Sequence, residues 1–353
     1  MAHDSVDSSA HHSVDGSMSG SMSGGADGSI VLHETLEHHD TPFDLAADAR
    51  AGLAAFPKTL SPKYFYDARG SDLFEQITEQ PEYYQTTTEK RILERCATGL
   101  VERLRPRVLV EFGSGSSYKT RVLLDALRDA GLLYGYGPLD VSEDAVRAAA
   151  EALIADYPGL VVEGVIGDFE HPHELPFPRE SRLLAFLGST IGNFEPDVVS
   201  EFLSSVAARM SPGEGFLIGF DLIKDRARLE AAYNDAAGVT AEFNLNILRV
   251  LNRELDANFD LESFRHRAFY NEAESRIEMH LVSLRAQRVT LPGIDLEIDF
   301  AEGETVRTEL SHKYTRESVE QLLAPARLNL VGWQTDEDNL FALALASAEF
   351  QIA

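Results

Sequence analysis

The sequence predicts an α/β protein in which a parallel sheet is covered by helices on both faces. An apolar run at 107–112 passes directly into the glycine turn Gly113-Ser-Gly115, as a buried strand does when it ends at a ligand site. Short apolar segments then alternate with helical segments as far as residue 221. This alternation is typical of parallel sheets buried on both faces. Period-two segments, which favour antiparallel strands, appear from residue 276 onward and indicate a second, α+β region.

The N-terminal part of the chain precedes this alternation. Residues 1–29 are mainly Ser, Gly, Asp and His and contain too few apolar residues for a core, so we predict a disordered tail over 1–34. Aromatic residues are dense between about 34 and 86. The segment Thr86-Thr-Thr-Glu89 matches a capping box, which predicts an amphipathic helix from there to about 104.

The remaining elements follow in order. Strands are predicted at 107–112, 133–139, 160–166, 182–187, 215–221, 276–290, 294–300, 305–314 and 339–347, and helices at 118–130, 143–156, 196–211, 226–257 with an interruption at Gly238, and 315–324. Ligands of parallel α/β sheets bind at the carboxyl ends of the strands. We therefore expect Gly113, Asp140, Asp168, Gly188 and Asp221 to share one rim.

The glycine turn also indicates the size of the ligand. Asp140 ends the second strand at the distance, roughly 20 residues or a little more, where an acid takes the ribose hydroxyls. A dinucleotide fingerprint requires a third glycine at 118, and this chain has Tyr118. The pattern favours a mononucleotide-sized ligand such as S-adenosylmethionine over NAD, with a nicotinamide oxidoreductase as the alternative.

Composition excludes several classes of partner. The net charge is −27, from 58 acidic against 31 basic residues, so nucleic acid and anionic membranes would be repelled. There is no long apolar run for a membrane span and no apolar signal segment. One cysteine, Cys96, is compatible with a reducing cytoplasm. His171-Pro-His173 lacks partner acids at helical spacing, so no metal site is predicted.

The chain lacks a motif for a catalytic nucleophile, which limits the reactions that it can catalyse. There is no G-x-S-x-G elbow, and Ser114 and Ser116 in the glycine turn are better placed to donate hydrogen bonds than to attack carbonyls. The nucleophile then belongs to the substrate. Methyl transfer from a sulfonium suits this, because the protein only aligns a lone pair with the methyl group and excludes water.

Six separated segments carry a more specific resemblance. They are YFYDARGSDLFEQITEQPEYY (64–84), EFGSGSSYKT (111–120), FLGSTIGNF (186–194), AYNDAAGVTAEFN (232–244), RIEMHL (276–281) and TELSHKY (308–314). Together they resemble the histidine Nα-methyltransferases of ergothioneine biosynthesis, over about residue 40 to the end. The resemblance implies a class I methyltransferase of Rossmann-like fold. It would form hercynine from L-histidine and three equivalents of S-adenosylmethionine, without a metal.

The resemblance also implies roles for individual residues. Gly113 and Lys119 would hold the methionyl end of the cofactor, Asp140 the ribose, and Asp168 with Phe169 the adenine. Asn193 and Tyr233 would bind the histidine carboxylate. Tyr83, Glu309 and Ser311 would bind the imidazole, with Met279 shaping that pocket. Tyr66, Phe74 and Gly188 would surround the amine, and Tyr66, which also borders the cofactor, would position the amine rather than act as a strong base, since an unperturbed phenol titrates near ~10.

Each role has an alternative from the residues alone. Glu309 lies in an alternating strand where an acid normally faces water, Met279 is typical of a core, Asn193 could cap local backbone, and Lys119 could be a solvated helix residue. The N-terminal tail, His280 and His312 depart from the family pattern.

The family implies a methyltransferase domain of 87–223 with 314–353, and a substrate domain of 35–86 with 224–313. We expect a cytoplasmic monomer. Alternatives are an indole amino-acid methyltransferase and a cofactor-binding protein without turnover.

Overall fold

The computed structural model describes residues 20–23, 29–34, 44–115, 117–141, 143–167, 175–177 and 181–348. Its strands are β1 (Gly20–Ser23), β2 (Ser29–Glu34), β3 (Lys58–Thr59), β4 (Val108–Phe112), β5 (Gly135–Asp140), β6 (Val161–Ile166), β7 (Arg182–Phe186), β8 (Gly215–Asp221), β9 (Phe264–Asn271), β10 (Arg276–Ser283), β11 (Gln287–Leu291), β12 (Leu296–Phe300), β13 (Thr305–His312), β14 (Leu328–Thr335) and β15 (Phe341–Ala348). Its α-helices are α1 (Leu45–Ala54), α2 (Ala68–Thr78), α3 (Gln85–Leu104), α4 (Thr120–Asp129), α5 (Glu143–Asp156), α6 (Pro196–Arg209), α7 (Arg226–Ala231), α8 (Val239–Glu254) and α9 (Arg316–Leu323).

Nine strands form the main sheet, in the order β1-β2-β6-β5-β4-β7-β8-β15-β14. Strands β4 to β8 pair in parallel, as the alternating pattern predicts. One face packs against α3, α4 and α5 in a core that includes Leu93, Leu124 and Leu153, and the other packs against α6 and α9 through Phe202 and Val319. The predicted α/β class with helices on both faces is confirmed.

The prediction of disorder over 1–34 is wrong for two segments of that tail. Strand β2 pairs in parallel with β6, and β1 pairs with β2, so both extend the sheet at its edge. The apolar residues Ile30-Val31-Leu32 provide the reason, because Ile30 packs against the same core as α3. Residues 1–19 and 24–28 of the predicted tail lie outside the described residues.

The far edge of the sheet also differs from expectation. The predicted strand at 339–347 is present as β15, but it pairs with a strand that the sequence did not indicate, β14. The residues of β14 are mostly exposed or half-buried, and a bulge between Leu330 and Gly332 shifts its register. Asn329 and Gly332 interrupt its apolar residues, so β14 lacks the continuous apolar run that identifies the central strands.

A second sheet, in the order β3-β13-β10-β9, packs with α1, α2, α7 and α8 around a separate hydrophobic core. That core draws its residues from 49–77 and from 229–306. Gly238 separates α7 from α8, as predicted. The predicted strand at 276–290 is instead two strands, β10 and β11, and β9 was not predicted at all. Of the described helices, none is long and apolar enough to cross a membrane.

Candidate active site

A cavity of about 970 Å³ opens where β4 and β5 end, and the second sheet contributes its opposite wall. Most of the site residues that the resemblance implies line this cavity: Tyr66, Phe74, Tyr83, Gly113, Lys119, Asp140, Gly188, Asn193 and Glu309. Three others, Tyr233, Met279 and Ser311, are buried and do not line it. Asp168 and Phe169 lie outside the described residues.

The shared rim expected from the strand ends is present in part. Gly113, Asp140 and Gly188 line the cavity, whereas Asp221 does not, because its side chain is fully buried.

The glycine turn leaves exposed backbone and an unused polar group on the cavity wall. Gly113 and Gly115 have φ values of +65° and +48°, a region that side chains with a Cβ rarely adopt. The Gly115 amide donates to Asp140 Oδ2 at 3.0 Å, which joins the ends of β4 and β5. Ser114 Oγ is buried without a hydrogen-bond partner among the described residues. A buried hydroxyl of this kind fits a polar ligand, as the adenosyl and methionyl groups of S-adenosylmethionine provide.

Lys119 forms an ion pair with Glu89, an acid whose role the sequence did not predict. Glu89 is fully buried, pairs with Lys119, and accepts the Gly188 amide with both carboxylate oxygens at 2.9 Å. A Cβ on Gly219 would lie 2.1 Å from Glu89 Oε1, so this carboxylate occupies space that only a glycine leaves open. Helix α3 therefore connects the glycine turn with the loop after β7.

The same contacts overturn the predicted capping box at Thr86 to Glu89. Helix α3 starts at Gln85, one residue before Thr86, and no side chain caps it at Tyr84. The Glu89 carboxylate binds Lys119 and the Gly188 amide instead of reaching back to the start of the helix. The sequence signal that could have shown the burial of Glu89 was its helical spacing from the apolar residues of α3. Glu89, Ile92, Leu93 and Ala97 lie on one buried stripe of α3, where an acid is unusual.

Aromatic rings form one wall of the cavity. Tyr66 and Phe74 have ring centroids 5.7 Å apart, and Phe74 and Tyr83 are 6.3 Å apart, both edge-to-face. Burial, and then the nearby Glu309 carboxylate, raises the pKa of Tyr66 well above its ordinary value. Burial likewise raises the pKa of Tyr83. Both phenols are therefore neutral at physiological pH and can donate or accept a hydrogen bond.

Glu309 projects from β13 and is only 9% exposed. It lies opposite Met279 in the pairing of β13 with β10, where a bulge follows Met279. Burial raises the pKa of Glu309 to about 7, although Lys313 acts in the opposite direction. Within the described part of the chain its carboxylate accepts no hydrogen bond from the protein. Such an acid is poised to accept an N–H from a ligand.

Behind Glu309 lies a buried polar network that the sequence did not reveal. The Tyr233 hydroxyl donates to Ser311 Oγ at 2.7 Å, and Lys313 Nζ donates to both Ser311 Oγ and Tyr233 Oη. Lys313 also pairs with Asp221 at 3.0 Å. The period of two that places Glu309 and Ser311 on one face of β13 continues to Lys313, the first residue after the strand, and this spacing was the sequence signal available for Lys313.

The other wall carries Asn193, at the end of a short 3₁₀ turn (Thr190–Asn193). Its side chain makes no hydrogen bond to neighbouring backbone in the described structure, so it is not the local cap that was the alternative. The two histidines that depart from the family pattern do not line the cavity. His280 stacks on Phe269, and His312 Nε2 is buried without a partner among the described residues.

Within the described residues, no group of three or more His, Cys, Asp and Glu side chains is arranged to hold a metal ion. His171 and His173 lie outside those residues.

Comparison with known proteins gives a consistent result. Residues 45–348 match the model of a family described as histidine-specific, S-adenosylmethionine-dependent methyltransferases. The histidine N-alpha-methyltransferase of Mycolicibacterium smegmatis is 51% identical over 303 residues, which cover 86% of this chain and 94% of that protein. Ergothioneine biosynthesis protein 1 of Neurospora crassa is 31% identical, with 84% of this chain matching 34% of that protein. A 4-dimethylallyltryptophan N-methyltransferase of Arthroderma benhamiae is 28% identical, over 85% of this chain and 93% of that protein.

Proposed function

Because the chain belongs to the histidine-specific, S-adenosylmethionine-dependent methyltransferase family, we propose that it methylates the α-amino group of L-histidine. Three successive transfers would give Nα,Nα,Nα-trimethyl-L-histidine (hercynine), for ergothioneine biosynthesis. The observation that carries the substrate assignment is Glu309, a buried acid on the cavity wall to which none of the described residues donates a hydrogen bond.

S-adenosylmethionine supplies an electrophilic methyl group on a sulfonium. The residues proposed to hold it are Gly113, Lys119 and Asp140, with Tyr66 alongside and with Asp168 and Phe169 at the adenine. The Ser114 hydroxyl, which has no partner within the described part of the chain, and the open backbone at Gly115 support this placement. No metal is invoked.

The imidazole of histidine is proposed to bind at Glu309, Ser311 and Tyr83, next to Met279. Asn193 and Tyr233 take the carboxylate, and Phe74 and Gly188 border the amine. A buried carboxylate left without a ring N–H costs about 1–3 kcal/mol or more, so Glu309 favours a ring that can donate.

The amine must lose its proton before transfer, because an ammonium has no lone pair. Tyr66 is proposed to accept or donate a hydrogen bond at this amine as a neutral phenol. Because the raised pKa of Tyr66 keeps its phenol protonated, Tyr66 is not available as the base. Solvent is therefore proposed to take the proton as the amine binds. Aromatic faces at Tyr66 and Phe74 stabilise the methylated ammonium through cation–π contact.

The division into a methyltransferase domain (87–223 with 314–353) and a substrate domain (35–86 with 224–313) remains a proposal. The separate hydrophobic core drawn from 49–77 and 229–306 supports it. A cytoplasmic monomer acting on a small molecule is proposed as well.

An indole amino acid is the second candidate substrate, favoured by the similarity to the dimethylallyltryptophan enzyme. Glu309 and Ser311 argue against it. An indole has one donor and no acceptor nitrogen, so it satisfies one of these two side chains and leaves the other unpaired.

The experiment that tests the proposal is a mass-spectrometric assay. The protein is incubated with S-adenosylmethionine and either L-histidine or L-tryptophan, and added methyl groups are counted. The expected products are mono-, di- and trimethylated histidine, with trimethyl-histidine accumulating at the end and tryptophan unchanged. Turnover of tryptophan with histidine untouched would refute the assignment, and an end product carrying fewer than three methyl groups would refute trimethylation.

A further inference from the structure

Glu89 lies behind the cavity wall and holds two residues that form that wall. Its side chain is fully buried and does not line the cavity, whereas both of its partners, Lys119 and Gly188, do. Lys119 Nζ pairs with Glu89 Oε2, and the Gly188 amide donates to both carboxylate oxygens at 2.9 Å. The two partners are also neighbours, since Lys119 Nζ lies 3.3 Å from the place that a Cβ on Gly188 would take. One carboxylate therefore bridges the glycine turn after β4 and the loop after β7.

The position of this carboxylate is closely restricted. On the side of β8, a Cβ at Gly219 would lie 2.1 Å from Glu89 Oε1 and 3.1 Å from the ring of Phe341, so the carboxylate fills the space that the glycine leaves. A buried carboxylate is costly unless its charge is paired and its oxygens accept hydrogen bonds. Lys119 and Gly188 meet these two conditions. Displacing either of them would leave Glu89 incompletely compensated.

Each partner in turn depends on Glu89 for its place. The long, flexible side chain of Lys119 is only 18% exposed, and an ammonium at such a position requires a counter-charge. Gly188 and Ser189 have φ values of +80° and +57°, so two consecutive residues adopt the left-handed region. Backbone of this kind persists where surrounding contacts hold it, above all at Ser189, which has a Cβ. The bond from the Gly188 amide to Glu89 is one of these contacts.

We propose that Glu89 is a positioning residue that aligns the methyl donor with the amine. This inference rests on the proposed function, in which Lys119 holds the methionyl end of the cofactor and Gly188 borders the amine. Transfer requires the two reacting atoms to be aligned and about 3–3.5 Å apart. Because one carboxylate of restricted position holds a residue on each side of that gap, the relative placement of the two reactants is set by α3. Glu89 itself touches neither reactant and moves no proton.

The first test measures cofactor binding with and without the end that Lys119 holds. The probes are S-adenosylhomocysteine, which carries the amino-acid end, and 5′-methylthioadenosine, which lacks it. Calorimetry gives the Kd of each compound and counts only protein that can bind. The measured quantity is the ratio of the Kd for 5′-methylthioadenosine to the Kd for S-adenosylhomocysteine, which should be well above one in wild-type protein.

Glu89→Gln keeps the size of the side chain and removes its charge. The Kd ratio should then fall about tenfold, because an ammonium without its counter-charge moves toward water and no longer waits at the carboxylate site. Lys119→Met should lower the ratio as well. In the Lys119→Met background, Glu89→Gln should add little to that fall, since both changes act on one contact.

The second test measures transfer. The single-turnover rate of the first methyl transfer, at saturating cofactor and histidine, is divided by the number of binding sites counted by calorimetry. In Glu89→Gln this rate per site should fall about tenfold to a hundredfold, the effect of a small misplacement of the reactants. Loss of folded protein would lower the number of sites and leave the rate per site unaltered.

The matched control is Glu214→Gln, the same change in another buried ion pair. Glu214 binds Arg182 at 2.7 Å, and both side chains are almost fully buried. The pair lies where β7 and β8 begin, at the opposite end of these strands from the cavity. Breaking it should cost stability and leave both the Kd ratio and the rate per site as in wild type.

Several outcomes overturn the inference. An unchanged Kd ratio or an unchanged rate per site in Glu89→Gln, or equal changes in Glu214→Gln, would assign Glu89 a structural role alone. Tighter binding of S-adenosylhomocysteine by Glu89→Gln would show that Glu89 competes with the cofactor for Lys119. If Glu89→Gln does not fold, Glu89→Asp keeps the charge and withdraws the carboxylate by one methylene, and wild-type values there are equally decisive. Wild-type protein that binds both compounds equally, or that leaves histidine unmethylated, would instead refute the proposed function.

Discussion

Replacing Glu309 by Gln should reduce activity and, at the same time, stabilise the protein at alkaline pH. The pKa of this carboxyl is raised from 4.5 to about 7 by burial, so the folded state binds its proton more tightly than the unfolded state does. Folding stability therefore falls as pH rises through this window, because the folded protein must give up a proton that it holds tightly. The full shift corresponds to about 3 kcal/mol, as an upper value for one buried group.

The measurable quantity is the difference in unfolding free energy between Glu309→Gln and wild type as a function of pH. Glutamine carries no titrating proton, so its fixed cost cancels when two pH values are compared. Between about pH 5 and about pH 8 the difference should move by ~2 to 3 kcal/mol in favour of the variant. Denaturant titrations without substrate, monitored at each pH, provide the free energies.

The matched control is Glu297→Gln, the same change at an exposed acid of β12 paired with Arg288. It should show no comparable pH-dependent gain, since surface pairs contribute little. For Glu309→Gln we also expect kcat/KM for histidine to fall roughly tenfold to a hundredfold, from the loss of one charged hydrogen bond. A stability difference that is flat in pH, or that moves against the variant, would show that Glu309 is not buried as a destabilised carboxylate.

Three further predictions concern the cofactor side and the amine. Gly219→Ala should lower the unfolding free energy by ~1–3 kcal/mol in thermal or denaturant unfolding, because the new Cβ would lie 2.1 Å from Glu89 Oε1. An unaffected stability would mean that the Glu89 side chain moves freely. Asp140→Asn should weaken the binding of S-adenosylhomocysteine about tenfold, as measured by calorimetry, because a carboxylate that also accepts the Gly115 amide is replaced by a carboxamide. An unchanged affinity would show that Asp140 does not contact the cofactor. Tyr66→Phe should slow all three transfers about tenfold in single-turnover assays, as expected for one lost hydrogen bond, and its role fails if the rates stay as in wild type.

The sequence was sufficient for the parts of the fold that are determined by local pattern. Strands β4 to β8 are mainly apolar, and each ends at an acid or within two residues of a glycine, so their positions and the ligand edge followed directly. The edge strands were harder. In β14 and β9 buried and exposed residues do not form a clean apolar run, and β2 lies next to a Ser- and Gly-rich segment that suggested disorder. Their pairing depends on partners distant in the chain, which no local pattern contains.

The candidate site divides in the same way. Gly113 and Asp140 were identifiable from their position at strand ends, whereas Glu309 and Ser311 required the family resemblance. Glu89 and Lys313 were missed by both routes. Each is a charged residue inside an otherwise apolar pattern, and its partner lies far away in sequence: Gly188 for Glu89, and Asp221 for Lys313. Only the folded structure shows that these buried charges are compensated.

Compensation by neighbouring charges also distinguishes two buried acids, Asp221 and Glu309. Burial raises the pKa of both Asp221 and Glu309, but the ammonium groups of Lys313 and Lys224 outweigh it at Asp221, whose pKa is lowered. Glu309 has only the more distant charge of Lys313, and its pKa stays raised. Asp221 is thus stabilised by the protein itself, while Glu309 lacks a donor among the described residues until a ligand provides one. An acid left in this state costs stability in the free protein, and in the proposed role of Glu309 the cost is recovered when a ring N–H binds, so that burial at one position would generate selectivity for histidine.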